Sequence, residues 1–488
     1  MYNIIFNCSY NLIYKKKMNK IYTIAENIHN EYDLFKEKSI THRRFKHSDL
    51  QRILRKFRKN KNFKFEKVGK SAQGKELNLI TLGKGKTNVF LWSQMHGNES
   101  TATMALLDIF NFFDDLNTLK DIKEFLLDNL KLYLLPVVNP DGLDIFQREN
   151  IFNVDINRDA NALQTPESKI LMDTFKRIKP VFSFNLHDQD IWYTAGHTKN
   201  PATISFLAPA FNEDKSLNQV RENSMKVIGG MYKVLSNYIP DCVARYSDEF
   251  EPRAYGDMFQ SMGSSTILIE SGGRKDDIEK QYIRKMNYIS ILSGLYLIAD
   301  KSYKEVSLKF YNEIPYNQER LFDTVLRNLR FNVNGKSFNG DIGIKMEEYN
   351  TEDAASFYLK SEIEDIGDLS TFYGYSEFDM KGFDVLQAKT YKKIFKKISD
   401  IKKNDIDSFI TKGITNVIVE NCNKINFITI PLNILSTRNK DKSFNIRIKN
   451  SADFLICKND KIHYVIINGF LIDLKNINYK NINGLVYH

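Results

Sequence analysis

The sequence predicts an α/β domain built on a mixed sheet, followed by a β-rich C-terminal domain. From about Phe63 to Lys301, short β-branched or aromatic runs alternate with amphipathic helical ones, the pattern of a sheet covered by helices on both faces. After Tyr303 the texture changes to alternating apolar runs punctuated by Asn-Gly dipeptides. A chain of 488 residues also exceeds the usual size of one domain. The expected organisation is an N-terminal extension over 1–44, an α/β domain over 45–302 and a β-rich accessory domain over 303–488.

Taken in order, the first seventeen residues hold a broken apolar stretch and then Lys15-Lys16-Lys17. A secretory signal carries its positive charge before the apolar core, so a cytoplasmic location is expected, and Met18 is a second candidate start. The basic stretch from Arg43 to Lys64 reads as an amphipathic helix: Leu50, Ile53, Leu54 and Phe57 fall at helical spacing behind a Ser48-x-x-Gln51 capping box. Strands are expected over Val89–Met95, Leu132–Val138, Val181–Leu186 and Thr266–Ile269. Helices are expected over Thr101–Phe113, Glu167–Ile178, Val220–Tyr238 and Ile278–Ala299. In the C-terminal part, Asn334-Gly335, Asn339-Gly340 and Asn468-Gly469 are expected turns, with helices near Gln318–Arg327 and Thr390–Ile401.

A net charge of +10 is modest for this length, and acidic residues alternate with the basic ones, so no nucleic-acid partner is expected. No apolar run reaches membrane-spanning length, and no membrane partner is expected. The four cysteines form no CxxC pair and read as reduced thiols. Oligomeric state leaves no mark on the sequence.

The chemistry is carried by polar residues placed just beyond expected strands. His96 and Glu99 follow Val89–Met95, and a chain turning there from strand into helix brings both onto one ion. Zinc takes His nitrogen and Glu oxygen together, and a catalytic site completes the set with a second His. His187, at the end of Val181–Leu186, fits that place; its rival, His197, sits in a Gly- and Thr-containing loop. Asp155 is the candidate acceptor for the other ring N–H of His96. Asn157 and Arg158 bring an amide beside a guanidinium fork suited to a carboxylate. Arg148, downstream of Asn139-Pro140-Asp141-Gly142, offers positive charge where an oxyanion develops, or a surface ion pair with Glu149. Glu270 closes the strand Thr266–Ile269 and precedes Ser271-Gly272-Gly273; there it can take a proton from a water and pass it to a leaving amine.

These residues, in this order, resemble the zinc carboxypeptidases typified by carboxypeptidase A, the M14 peptidases. The likeness runs from the Phe65 segment through Met95-His-Gly-Asn-Glu, Asn139-Pro-Asp-Gly, Asp155-Ile-Asn-Arg and Thr165-Pro-Glu to Ile269-Glu and Gly273. It implies a mixed eight-stranded α/β/α sandwich and one zinc ion held by His96, Glu99 and His187. It further implies Arg148 polarising the scissile carbonyl, Asn157 and Arg158 gripping a terminal carboxylate, and Glu270 as general base and acid. A substrate-capping Tyr is implied as well, and Tyr246 and Tyr255 both stand at plausible positions. The family's Asn-Arg-Asn-aromatic becomes Asn157-Arg158-Asp159-Ala160, which sets a negative charge beside the clamp. In the pocket loop 251–257, Arg253 suits an acidic side chain and Asp257 a basic one. The implied substrate is a peptide, with an N-acyl amino acid, as in the succinylglutamate desuccinylase and aspartoacylase branch, as the alternative.

Overall fold

The structure, a computed structural model, describes residues 19–422 and 425–488. The expectations for the first seventeen residues, Met18 and Cys8 lie outside them. The chain forms two compact units, Met1–Glu319 and Arg320–His488.

The first unit opens with a helix over 19–30 (α1), then Tyr32–Phe35 (α2), His47–Phe57 (α3), Lys64–Lys70 (β1), Glu76–Leu82 (β2) and Thr87–Ser93 (β3). Thr101–Asp114 (α4), Lys120–Asn129 (α5), Leu130–Leu135 (β4), Pro140–Ile145 (α6), Pro166–Ile178 (α7), Phe182–Asp188 (β5) and Tyr193–Ala195 (β6) follow. Ile204–Leu207 (β7), Gln219–Leu235 (α8), Val243–Arg245 (β8), Tyr255–Ser261 (α9), Ser265–Ser271 (β9) and Gln281–Ala299 (α10) complete the sandwich. Its eight strands run in the order β1-β2-β4-β3-β5-β9-β7-β8. The central run β4-β3-β5-β9 is parallel, whereas β1, β2 and the β7–β9 contact are antiparallel.

Strand alternation divides the core into two layers, because successive side chains point to opposite faces. On β3, Val89 and Leu91 join the apolar cluster beneath α4, α8 and α10. Phe90 and Trp92 join the one beneath α7 and α9, with Phe175 and Phe259 stacked at 3.7 Å. The mixed-sheet α/β/α sandwich is therefore the observed architecture.

Two expected boundaries shift. The described part of the N-terminal extension, from residue 19 on, is not separate, for Ile21, Ile24, Ala25 and Ile28 of α1 are buried in the main cluster. The buried Arg284–Asp108 pair ties the segment down: Arg284 donates to the carbonyls of Ile40 at 2.7 Å and Glu37 at 3.0 Å, and Tyr32 donates to Asp108 at 3.0 Å. At the other end, Val306, Tyr311 and Ile314 belong to the same cluster, so the division falls after Glu319 rather than after 302. The chain there forms Leu308–Asn312 (α11) and Asn317–Glu319 (β10), which pairs with β6. Helix α3 presents its lysines and arginines to solvent as expected, but it starts at His47; Asp49, not Gln51, accepts the Lys46 N–H at 3.1 Å.

The second unit is β-rich, with Leu321–Val333 (β11), Lys336–Asn350 (β12) and Phe357–Gly367 (β13) as an antiparallel meander. Asn334-Gly335 and Asn468-Gly469 close two-residue hairpins, all four residues at positive φ, as a type I′ turn requires. Asn339-Gly340 instead lies within β12. Both helices expected here are strands. In β11 a bulge between Leu326 and Leu329 breaks the two-residue period and buries both, so the apolar spacing imitates a helix. Residues Lys389–Lys397 form a strand that pairs with Ile414–Asn421, and the helix lies further on, at Lys403–Thr411. Cys242, Cys422 and Cys457 are free thiols. No helix among the described residues is long and apolar enough to cross a membrane.

Since α1 is packed into the core, Ile28→Ala should lower stability by roughly 2–5 kcal/mol. Denaturant unfolding followed by circular dichroism measures this; an unchanged midpoint would detach α1 from the core.

Candidate metal centre and active site

Three parallel strands deliver the site to one edge of the sheet. Strand β3 ends at Ser93, and Gln94, held at φ 49°, turns the chain outward so that His96 leaves the sheet edge. Gly97 is required here: a Cβ would stand 2.0 Å from the Gly142 backbone, so only glycine lets the two loops touch. Asn139 opens α6, accepting the Gly142 N–H at 2.8 Å; the Asn-Pro-Asp-Gly stretch is thus a capped helix start rather than a free turn. On the next strands, His187 and Glu270 are register partners, so parallel pairing sets them side by side.

The ligand-bearing atoms of His96, Glu99 and His187 lie within 4.8 Å of one another. Glu99 stands between the rings, its Oε1 2.6 Å from His96 Nδ1 and its Oε2 2.8 Å from His187 Nδ1, and the two Nδ1 atoms are 3.2 Å apart. His96 Nε2 stands 3.0 Å from Asp155 Oδ1, an acceptor for its proton, and this orientation turns Nδ1 toward the cluster. All three residues are at most 6% exposed. Burial opposes charge on Glu99, but His96 and His187 outweigh it and hold the carboxyl well below the usual range. Burial also works against a charged His96, yet Glu99 and Asp155 raise it, while for His187 burial prevails and lowers it. Two inward-facing ring nitrogens and a carboxylate, sealed from water, form the donor set zinc takes. His197, the rival, is exposed.

Around the cluster, Asp155 accepts from His96, from the Asn157 N–H at 2.8 Å and from Arg148 at 3.0 and 3.2 Å. Burial opposes its charge, but the His96 ring and the Arg148 guanidinium hold its carboxyl below the usual range. Arg148 also reaches Glu99 at 3.2 Å, so its partners are site residues rather than Glu149. Glu270 is buried and its Oε2 has no hydrogen-bond partner; burial first, then Glu99 and Asp188, push its carboxyl well above the usual range. Tyr246 is raised by burial and by the charge of Glu270 and Glu99, which puts its hydroxyl within reach of the site's field. Tyr193, unnoticed in the sequence, also senses Glu270. It lies on β6, which pairs with β10, and no motif in the sequence marks it.

Other expected residues have different surroundings. Tyr255 is fully buried, donates its hydroxyl to the Ser168 carbonyl at 2.8 Å and packs edge-on against Phe259. It is part of the α7–α9 core, which corrects its reading as a substrate contact. Asn157 accepts the Tyr255 N–H at 2.9 Å. Asp159 is no free charge beside the clamp, because it accepts the N–H groups of Gln164 and Thr165, both at 2.8 Å, ahead of α7. Exposed Arg158 lies 3.6 Å from Glu251, which Arg253 grips at 2.6 and 2.9 Å and draws down to about 2. Asp257 is buried at the start of α9, and burial pushes its carboxyl up to about 7.

A buried two-His, one-Glu cluster at the C-terminal edge of a mixed sheet defines a metalloprotein of the α/β/α class. Residues 50–159 match the family model of the zinc carboxypeptidases (Peptidase_M14). The match takes in His96, Glu99, Arg148, Asp155 and Arg158 and ends before His187 and Glu270. "Probable carboxypeptidase 2" of Trichophyton verrucosum is 32% identical over 135 residues, covering 27% of this chain and 25% of the relative. "Carboxypeptidase SOL1" of Arabidopsis thaliana is 28% identical over 157 residues, covering 28% and 32%. The chain thus spans a third or less of these relatives' length. A metallo-carboxypeptidase from Burkholderia cenocepacia is similar in structure, with 15% identity, a TM-score of 0.43, and coverage of 53% of this chain and 70% of that one.

Asp257 has a consequence for stability. Unfolded, it ionises near about pH 4, while folded it holds its proton to about 7. Between these values the folded state binds more protons, so stability falls as pH rises. Asp257→Asn should therefore unfold at a higher temperature than wild type near about pH 8 and lose that advantage near about pH 4. Equal melting curves at both would place this carboxyl in water.

Proposed function

We propose that the chain is a zinc-dependent metallocarboxypeptidase that hydrolyses the C-terminal peptide bond of its substrate. The observation that carries this reading is the meeting of the His96, Glu99 and His187 donors with a protonatable Glu270 in register beside His187. In this reading the zinc is held by His96 Nδ1, His187 Nδ1 and Glu99. When bound, zinc supplies Lewis acidity toward a carbonyl and a water.

The chain's own residues do the rest. Asp155 fixes the His96 ring and keeps its Nδ1 lone pair inward. Arg148 holds positive charge beside the cluster, where the oxygen of an attacked carbonyl gathers negative charge. Glu270 takes a proton from the attacking water and returns it to the leaving amine; burial and the neighbouring carboxylates raise its proton affinity, which suits it to take that proton. Arg158 and the free amide of Asn157 bind the terminal carboxylate. To do so Arg158 parts from Glu251, a contact between partly exposed groups that costs little to break. Tyr246 closes over the substrate. The family match over 50–159 supports a peptide rather than an N-acyl amino acid as substrate.

Chelation should abolish hydrolysis of a blocked dipeptide, and added zinc should restore it, with slower turnover of N-acyl glutamate or aspartate. Glu270→Gln should keep its zinc and lose roughly 10²–10⁴-fold in kcat, whereas His96→Ala should lose both zinc and turnover. Equal metal loss in the two variants would remove Glu270 from its role, and hydrolysis that survives chelation would end the metallopeptidase reading.

A further inference from the structure

Behind the candidate metal cluster, one buried ammonium joins three chain segments that each carry a residue of the site. Lys280 is 5% exposed and stands at φ 49° immediately before α10. Its Nζ donates to Asp188 Oδ2 at 3.0 Å and to the Ser271 carbonyl at 3.0 Å. Asp188 adjoins His187, and Ser271 adjoins Glu270. The same Asp188 oxygen accepts the Thr101 hydroxyl at 2.5 Å, two residues beyond Glu99. The Asp188 N–H closes the circuit, donating to Glu99 Oε2 at 3.1 Å.

Accordingly, we propose that Lys280 is a positioning residue, which through Asp188, Thr101 and the Ser271 carbonyl holds Glu99, His187 and Glu270 at the spacing that zinc binding and proton transfer need. This rests on the metallopeptidase reading and deepens it. The location makes the contact more than a buried ion pair. Each tie falls one or two residues from a functional side chain, where backbone drift displaces that side chain directly, and small misplacements of catalytic groups are costly. An ammonium suits the task because its donors reach a carboxylate and a carbonyl in different directions, whereas a guanidinium presents a planar fork.

The test uses the full chain stripped of metal, with zinc dissociation measured by competition against a chelating indicator and kcat and KM measured on the zinc-loaded protein. Lys280→Met should raise the zinc Kd roughly 10–100-fold, the usual cost of losing a residue that supports metal ligands. It should lower kcat more than it raises KM, and Lys280→Arg should recover part of the loss. Because the Met variant leaves Asp188 charged and unpaired in a buried place, Lys280→Met with Asp188→Asn supplies a folded comparison. Thr101→Val cuts a single tie and should give a smaller rise in Kd. Ile28→Ala, a buried core change in α1, controls for stability alone, lowering the melting temperature at unchanged zinc Kd. Wild-type zinc affinity in the Lys280 variants and in Thr101→Val would overturn the positioning role. A wild-type protein that binds no zinc would instead overturn the metallopeptidase reading itself.

Discussion

Pairing between β5 and β9 is the constraint on which the site depends. Because these strands run parallel with His187 opposite Glu270, a histidine and a buried carboxyl distant in sequence become lateral neighbours. The β3–β5 pairing then brings the His96–Glu99 turn to the same edge. A slip of one residue would send one of the pair to the opposite face, since side chains alternate along a strand. The apolar layers on both faces enforce the register, with Phe184 and Ile267 on one side and Trp92 and Phe259 on the other.

Electrostatics at this edge follow from burial. Glu99, His96 and His187 are nearly sealed from water, and such groups persist only if their charges compensate one another. Glu99 does so by standing between the two rings, and Asp155 extends the chain of contacts outward to Arg148. Glu270 lies just outside this compensation, and burial together with the charges of Glu99 and Asp188 pushes its carboxyl well above the usual range. Their surroundings thus push these two neighbouring carboxyls in opposite directions, Glu99 down and Glu270 up.

The N-terminal segment shows the same economy of buried charge. Arg284 and Asp108 neutralise each other while satisfying the Ile40 and Glu37 carbonyls and the Tyr32 hydroxyl, so the segment preceding the sheet becomes part of its core. In the second unit, Asp453 accepts from Asn433, Asn468 and Ser451 within a buried network. This network provides architecture, and none of its contacts points to chemistry.

What the sequence determined by itself is local or periodic. The alternation of elements, the strand ends that carry His96, His187 and Glu270, and the Asn-Gly hairpins at 334 and 468 follow from period and turn chemistry, which act over a few residues. What only the tertiary structure decided depends on partners remote in the chain. It drew α1 into the core, made β11 a bulged strand despite its helix-like spacing, and buried Tyr255 against Ser168 while Tyr246 lay near Glu270. It also joined Lys280 to Asp188, a contact that the helical pattern over Ile278–Ala299 does not show. The physical reason is common to all of these: a side chain's role is set by what surrounds it after folding, and those neighbours come from elements that no short window of sequence contains.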